Sequence, residues 1–436
     1  MNKLSLWLAA SAALASPAQA ATVTLPDSAA GALGSASERG FVLRVAQAPE
    51  TAVIGNSYVR ALQQLNGTLV DATGAAVPNE ASEGSNPDGS YNVDLVNFER
   101  EASPFDVVNV ANEPLWNFTP DLFPGIPGAG GHTTKFVAEA VAFLELPAGP
   151  TTFGVSVGTD RTDVNDDDSY LVSVGDVPRD FFATKVGEFE RNAPPFTANT
   201  HNENQWTVSA PKAGIYPFRL VYWQGGQGAN LQFYTVLESG ERILVNDSAD
   251  ARAIKAYRRS TTAGAGAPYV GEVSPLPGSA GNSPAAAIEA VVVDGTRAVQ
   301  DASVKLALNG QAAVATPQRS GNHVTLRYLP DASRSNPANA VKLDFADTAG
   351  AASTRQWDFT INATGGSSAP VTGQWDFESG NLAATVGTAL EYFGGPGGAT
   401  AQGTAFGTTT SFGIEDIAGQ PAKVMRVPGD LTRDIG

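Results

Sequence analysis

Gly214-Ile215-Tyr216-Pro217-Phe218-Arg219-Leu220-Val221-Tyr222-Trp223-Gln224-Gly225-Gly226-Gln227-Gly228-Ala229-Asn230-Leu231-Gln232-Phe233 is the stretch that decides how this chain reads. Two runs of aliphatic and aromatic residues flank a cluster of glycines. Strands favour the first kind of residue and turns the second. The reading is two strands, Gly214 to Tyr222 and Asn230 to Leu237, joined as a hairpin around Gly225 to Gly228. A phosphate loop is excluded, because no helix start follows the glycines and no Lys-Ser/Thr pair accompanies them.

The same rhythm extends outward in both directions. Phe41 to Val45, Tyr91 to Val96, Phe136 to Leu146, Phe153 to Val157 and Tyr170 to Val174 read as further strands, and Ser57 to Leu65 as a short helix. Residues 21–39 are small and polar and read as a flexible lead-in, so the first sandwich spans 40–260. Gly, Ala, Pro and Ser dominate 261–284, which is linker composition. Five strand-like runs follow within 285–362: Ile288 to Val293, Ser303 to Leu308, Asn322 to Leu329, Ala340 to Asp344 and Arg355 to Ile361. Their length and spacing suit an immunoglobulin-like sandwich, without the Cys…Trp…Cys pattern of antibody domains. A second linker, 363–373, leads to 374–436, which reads as the opening of a domain cut short at Gly436; the alternative is a small appended strand pair docking on the second domain. The fold class expected is all-β: serial antiparallel β-sandwich domains joined by Gly/Pro/Ser-rich linkers.

Composition narrows the function classes. The 436 residues include no cysteine, which excludes disulfides, thiolate zinc sites and cysteine nucleophiles. A net charge of −17 argues against nucleic acid and against anionic membrane surfaces as partners. Lys3, the apolar run Leu4 to Leu14 and Ala18-Gln19-Ala20 together make a secretory signal peptide, residues 1–20. No segment approaches the roughly 18 apolar residues that a membrane-spanning helix needs. The location expected is therefore secreted, extracellular or cell-surface.

The quoted stretch resembles the closing hairpin of the protective-antigen-type lectin domain. That family has a Gly-x-Tyr-x-hydrophobic-x-hydrophobic strand, an aromatic pair, a Gly-rich turn and a final strand. Upstream, Phe153-Gly154-Val155 and then Asp167-Asp168-Ser169-Tyr170-Leu171-Val172 are similar to its strand, Asp-Asp-Gly turn and next strand. Ser169 departs from the family's glycine, and Gly158 to Asp166 reads as an insertion. The match covers about half of the chain. It implies a β-sandwich that binds glycans, in some members through a calcium held by the paired aspartates. Trp375-Asp376-Phe377-Glu378-Ser379-Gly380-Asn381-Leu382 is similar to the opening strand of concanavalin-like (laminin-G-like) jelly rolls, which implies a glycan or protein partner.

Candidate sites follow from residue chemistry. Asp160, Asp163, Asn165, Asp166, Asp167 and Asp168 crowd one loop, and calcium takes several hard oxygen ligands. The spacing is not that of an EF-hand. The resemblance favours Asp167 and Asp168 as ligands, with Asp160 and Asp163 beside them; the alternative is a solvated turn. Trp206, Tyr222, Trp223 and Tyr234 are candidates for a sugar-stacking platform. Tyr222 and Trp223 are adjacent on a strand and point to opposite faces, so one belongs to the core and the other is the candidate for exposure beside the turn. His132, His201 and His323 lack metal spacing, and His132 reads as a surface loop residue. No Gly-x-Ser-x-Gly elbow and no distinctive carboxylate pair is present, so the chain reads as non-enzymatic.

The function expected is a modular binding protein that recognises extracellular glycan, or a surface protein, through its first sandwich. The alternatives are a non-catalytic accessory region of a larger extracellular polysaccharide-active enzyme, or a structural spacer. Intact-mass analysis of the protein recovered from culture medium is expected to show an N-terminus at Ala21; recovery with Met1 to Ala20 still attached contradicts the signal reading.

Overall fold

The computed structural model describes residues 22–71, 74–99, 120–157, 167–190, 202–226, 229–261, 264, 266–330, 336–362, 375–385, 388–392, 399–414 and 421–427. The signal segment 1–20, Asp160, Asp163, His201 and the linker 363–373 lie outside the described residues. The class is all-β, as the sequence suggests.

The described residues between 22 and 260 form two facing sheets. The first runs β1 (Val23–Thr24), β11 (Asn202–Ala210), β8 (Gly149–Val157), β13 (Asn230–Val236), β5 (Asn97–Glu99) and β6 (Asp121–Leu122), with β14 (Arg242–Leu244) also on β13. The second runs β10 (Thr184–Phe189), β9 (Ser169–Val174), β12 (Gly214–Trp223), β7 (Phe136–Leu146), β15 (Lys255–Ser260) and β2 (Ala36–Arg39). On it, β3 (Phe41–Gln47) pairs with β7, and β4 (Tyr91–Val93) pairs with β3. Alternate residues of the strands fill the space between the sheets, among them Phe136, Phe153, Tyr170, Phe218, Leu220, Tyr222, Leu231 and Phe233.

Two expectations change here. The hairpin does not exist as a pair: β12 bonds to β7 and β9, while β13 bonds to β8, β5 and β14. Strands β12 and β13 therefore belong to different sheets. Alternation reveals which face of a strand is apolar but not which strand lies beside it. The lead-in is also not loose. Val23 pairs with Val208 in parallel, Ser37 pairs with Arg259, and Leu25 and Ala29 are buried. Small residues let this segment lie close against both sheets, and their composition concealed it.

The outer face of the second sheet is covered as well. Ala46, Val137, Leu171, Val221 and Trp223 pack beneath α1 (Tyr58–Asn66), against Ala61, Tyr58 and Leu65. The helix is set by its ends. The Ser57 hydroxyl accepts from the Arg60 N–H, and Gly67 closes the helix in the left-handed conformation at φ 71°. Further along the same face, Glu139 is fully buried among three arginines. Its Oε2 lies 2.6 Å from Arg44 Nε and 2.8 Å from Arg179 Nε, and its Oε1 lies 2.7 Å from Arg219 Nε. Burial alone raises a carboxyl's pKa, but Arg179, Arg44 and Arg219 outweigh it and hold Glu139 well below the usual range.

A second two-sheet unit follows. One sheet is β16 (Tyr269–Ser274), β17 (Ile288–Val293), β21 (His323–Tyr328) and β20 (Gln318–Ser320). The other is β19 (Gln311–Ala313), β18 (Lys305–Leu308), β22 (Ala338–Ala346) and β23 (Ala352–Thr360). Ile288, Val292, Leu326, Leu343, Trp357 and Phe359 share its core. The five expected strands are present, but β16 lies inside the expected linker 261–284. Tyr269, Val270 and Val273 are apolar positions that an average over Gly, Ala, Pro and Ser obscures. Near the C-terminus β24 (Ala405–Thr408) pairs with β25 (Lys423–Arg426).

The two units meet at the loop 175–183, between β9 and β10. Asp180 takes Arg355 through two contacts, Nε to Oδ1 at 3.0 Å and Nη2 to Oδ2 at 2.9 Å. It also accepts from the Val270 N–H, while the Phe181 N–H donates to the Val270 carbonyl at 2.7 Å. Phe181 and Phe182 pack on the second core, with the Phe182 ring centred 5.8 Å from that of Trp357.

Removing one partner of a buried ion cluster leaves the others uncompensated. Glu139→Ala is expected to lower the unfolding free energy by about 3–5 kcal/mol, read from urea denaturation. Because the folded-state pKa of Glu139 is depressed, its contribution is present above the ordinary carboxyl value of 4.5 and is lost as pH falls through the folded-state value. The gap between wild type and variant should accordingly be full at neutral pH and narrow only in strong acid.

Candidate functional site

Where β12 gives way to β13, several loops converge on Asp167. This carboxylate accepts from the N–H of Gly225 at 3.0 Å and of Gly226 at 3.1 Å. A Cβ on Gly225 would stand 2.5 Å from Asp167 Oδ2, so a larger residue here would force the carboxylate to shift. The Asp167 carbonyl accepts from Asn56 Nδ2 at 2.7 Å, and Asn56 Oδ1 accepts from Arg60 Nη2 at 2.5 Å. Arg60 is buried and also donates to the carbonyls of Gly55 and Gln224. Burial lowers its pKa to about 10, against the attraction of Asp167.

Gln224 ties in another loop. Its Oε1 accepts from the Lys135 N–H at 3.0 Å and its Nε2 donates to the Thr133 carbonyl at 3.2 Å. Lys135 in turn donates from Nζ to the carbonyls of Glu50 and Ala52. His132 lies nearby and is not the surface residue expected. Its side chain is largely buried, with Nε2 3.2 Å from Glu80 Oε2 and Nδ1 3.1 Å from Thr134 Oγ1. Thus 50–56, 132–135, 167–168 and 224–226 form one hydrogen-bonded loop cluster on a rigid sandwich, the usual setting for a binding site.

Asp168 is buried beside it, and its Oδ2 accepts from the Asn230 N–H at 3.2 Å. Asn230 has 0 % exposure. Neither its Oδ1 nor its Nδ2 has a hydrogen-bond partner among the described residues. Leaving such a group buried and unmatched costs about 1–3 kcal/mol. Glu99 stands opposite Asn230 across the β5–β13 pair, and Gln232 stands opposite Asn97 and Ser156. Sequence reading missed Asn230. The available signal was the polar alternation Asn230, Gln232 on a strand whose other face, Leu231 and Phe233, is core.

The structure brings Asp167 and Asp168 to this cluster; Asp160 and Asp163 lie outside the described residues. Among the described residues no group of three or more His, Cys, Asp or Glu side chains is placed to hold a metal. The aromatic platform does not form. Tyr222 is sandwich core, with its ring centred 5.3 Å from that of Phe123. Trp223 points to the opposite face, as strand geometry requires, but α1 covers that face and Tyr58 packs on the ring. Trp206 is buried between Phe153 and Tyr170, and Tyr234 is buried with Leu244. None of the four offers a ring face to a sugar.

Asp167→Ala should strip two N–H groups of their acceptor. The expected cost is about 1–3 kcal/mol in denaturant melts, together with faster amide exchange at Gly225 and Gly226 than at β7.

No family model matches the chain, and no curated protein matches it. Among solved structures, it is similar to the PA14 domain of the MpAFP antifreeze protein at 13% identity, over 51% of this chain and 92% of that one, with a TM-score of 0.28. It is similar to the A domain of a subtype-switched epithelial adhesin 9 from Candida glabrata, in complex with β-lactose, at 10% identity. That likeness covers 56% of this chain and 97% of the other, with a TM-score of 0.30. A likeness to CopC from Methylosinus trichosporium OB3b has 17% identity, covers 22% of this chain and 92% of that one, and has a TM-score of 0.18. None of these likenesses assigns the chain to a family.

Proposed function

We propose that the loop cluster around Asp167, Asp168 and Asn230 is a calcium-assisted glycan-binding site on a secreted or cell-surface, non-catalytic binding protein. The observation that carries this reading is the Asn230 side chain. Its amide oxygen is fully buried without a partner among the described residues, on the residue whose backbone N–H bonds the buried Asp168 carboxylate, and both side chains carry hard oxygens of the kind calcium accepts. In this reading Asp168 and Asn230 would contribute two of the roughly six to eight oxygens calcium takes, and Asp167, itself anchored by Gly225 and Gly226, would orient the loop around it. A bound calcium supplies a positive centre for sugar hydroxyl oxygens, which are also hard ligands. The buried Trp206, Tyr222 and Trp223 shape the scaffold and take no part in stacking. The immunoglobulin-like reading of 285–362 and the concanavalin-like reading of 374–436 are part of the same proposal, as modules that present the first sandwich.

Calorimetric titration with calcium is expected to give saturable heat with wild type and none with Asp168→Ala or Asn230→Ala. Glycan-array binding should be lost on adding a chelator. A folded wild type that gives no calcium heat at millimolar concentration sinks the metal assignment; calcium binding without any array signal sinks the glycan assignment.

A further inference from the structure

The second unit is held on the first in part by a carboxylate with no cationic partner among the described residues. Glu272, on β16, lies against the C-terminal end of α1. Its Oε1 accepts from Asn66 Nδ2 at 3.3 Å and from the Thr68 hydroxyl, and Gln63 is a further hydrogen-bond partner. The approach is close enough that a Cβ on Gly271 would stand 2.7 Å from Asn66 Nδ2. All of these partners are neutral. The C-terminal end of a helix is also the negative pole of its dipole, which disfavours an anion there.

The other elements packed around Glu272 offer no compensation. From β17 comes Glu289, a like charge that already pairs with Arg327 of β21 at 3.3 Å. From the loop 175–183 comes the Phe181 ring, and α1 adds Val59 and Leu62. These groups enclose a cavity of about 170 Å³ between the units, and no Lys, Arg or His is among its described lining residues. Burial pushes the Glu272 carboxyl up; the Thr68 and Asn66 hydrogen bonds oppose this, and Glu289 reinforces it. Asn66 Oδ1 is itself buried without a partner among the described residues. A side-chain amide can exchange its oxygen and nitrogen positions by a flip. A neutral Glu272 can then donate its proton to Asn66 Oδ1 while still accepting from Thr68.

We propose that the joint between the two units is an acid-tightened latch, in which a protonated Glu272 bonds to Asn66 and no longer repels Glu289. The sign follows from linkage. A group whose folded-state pKa lies above its unfolded value carries no penalty below the unfolded value, and a growing one as pH rises through the folded value. Glu139, held ionised by its arginines, stays charged across the same range and does not share this behaviour.

Hydrogen exchange on the full chain tests the latch, read as protection factors for peptides covering 63–68 and 269–274. Suitable conditions are about pH 4.5, the ordinary carboxyl value, and about pH 7.5, well above it. Wild type should be several-fold more protected in acid at these two segments, with β22 and β23 unchanged. Glu272→Gln, neutral and nearly isosteric, should be equally protected at both pH values. If Glu272→Gln folds too poorly to measure, Glu289→Gln should shrink the wild-type difference by removing the like charge. Equal wild-type protection at both pH values overturns the proposal, and so does a variant that keeps the full wild-type pH dependence.

Discussion

One buried carboxylate constrains the outer face of the second sheet. Glu139 stands on β7, the central strand, and three guanidinium groups converge on its two oxygens. Each arginine comes from a different segment: Arg44 from β3, Arg219 from β12 and Arg179 from the loop after β9. Charges so far from water are tolerated only when every partner is in place. The cluster thus fixes the relative positions of three strands and a loop, and it must itself be covered. Helix α1 covers the apolar part of this face, and Tyr269 of the second unit reaches Arg44.

That requirement links the joint to the candidate site. The loop that carries Arg179 continues directly into Asp180, Phe181 and Phe182, which dock the second unit. The helix that shields Trp223 begins next to Asn56, which holds the Asp167 carbonyl, and ends at Asn66, which meets Glu272. One short helix therefore touches the loop cluster at one end and the joint at the other. Its buried Arg60, bonded to Asn56 and Gln224, makes the first of these attachments specific.

Much of this was legible in the sequence, and the failures have physical causes. The strands β7, β8, β9, β12 and β13 show themselves because long apolar runs between turn residues have few alternatives to strand. The helix reads from the sequence over Ser57 to Leu65, and the structure shows it capped by Ser57 and Gly67, whose roles depend on local geometry alone. Sheet membership is not local, so β12 and β13 read as partners although they lie in opposite sheets. The opposed directions of Tyr222 and Trp223 follow from strand geometry, yet the exposure expected of one ring was lost to a helix more than a hundred residues upstream. Asp167 and Asp168 were visible because carboxylates cluster in the sequence. Asn230 was not, because its burial is created by strands and loops drawn from distant parts of the chain.

The woven N-terminus has a kinetic consequence. Val23 waits for Val208, and Ser37 waits for Arg259. A ribosome or translocation channel delivers the chain from the N-terminus, so neither edge can close until nearly the whole first unit has emerged. Contacts between such distant residues carry a large loop-closure cost and slow the search for the native topology. The unit is therefore expected to close only once its C-terminal strands are available, with its edge strands open to pairing with other chains until then.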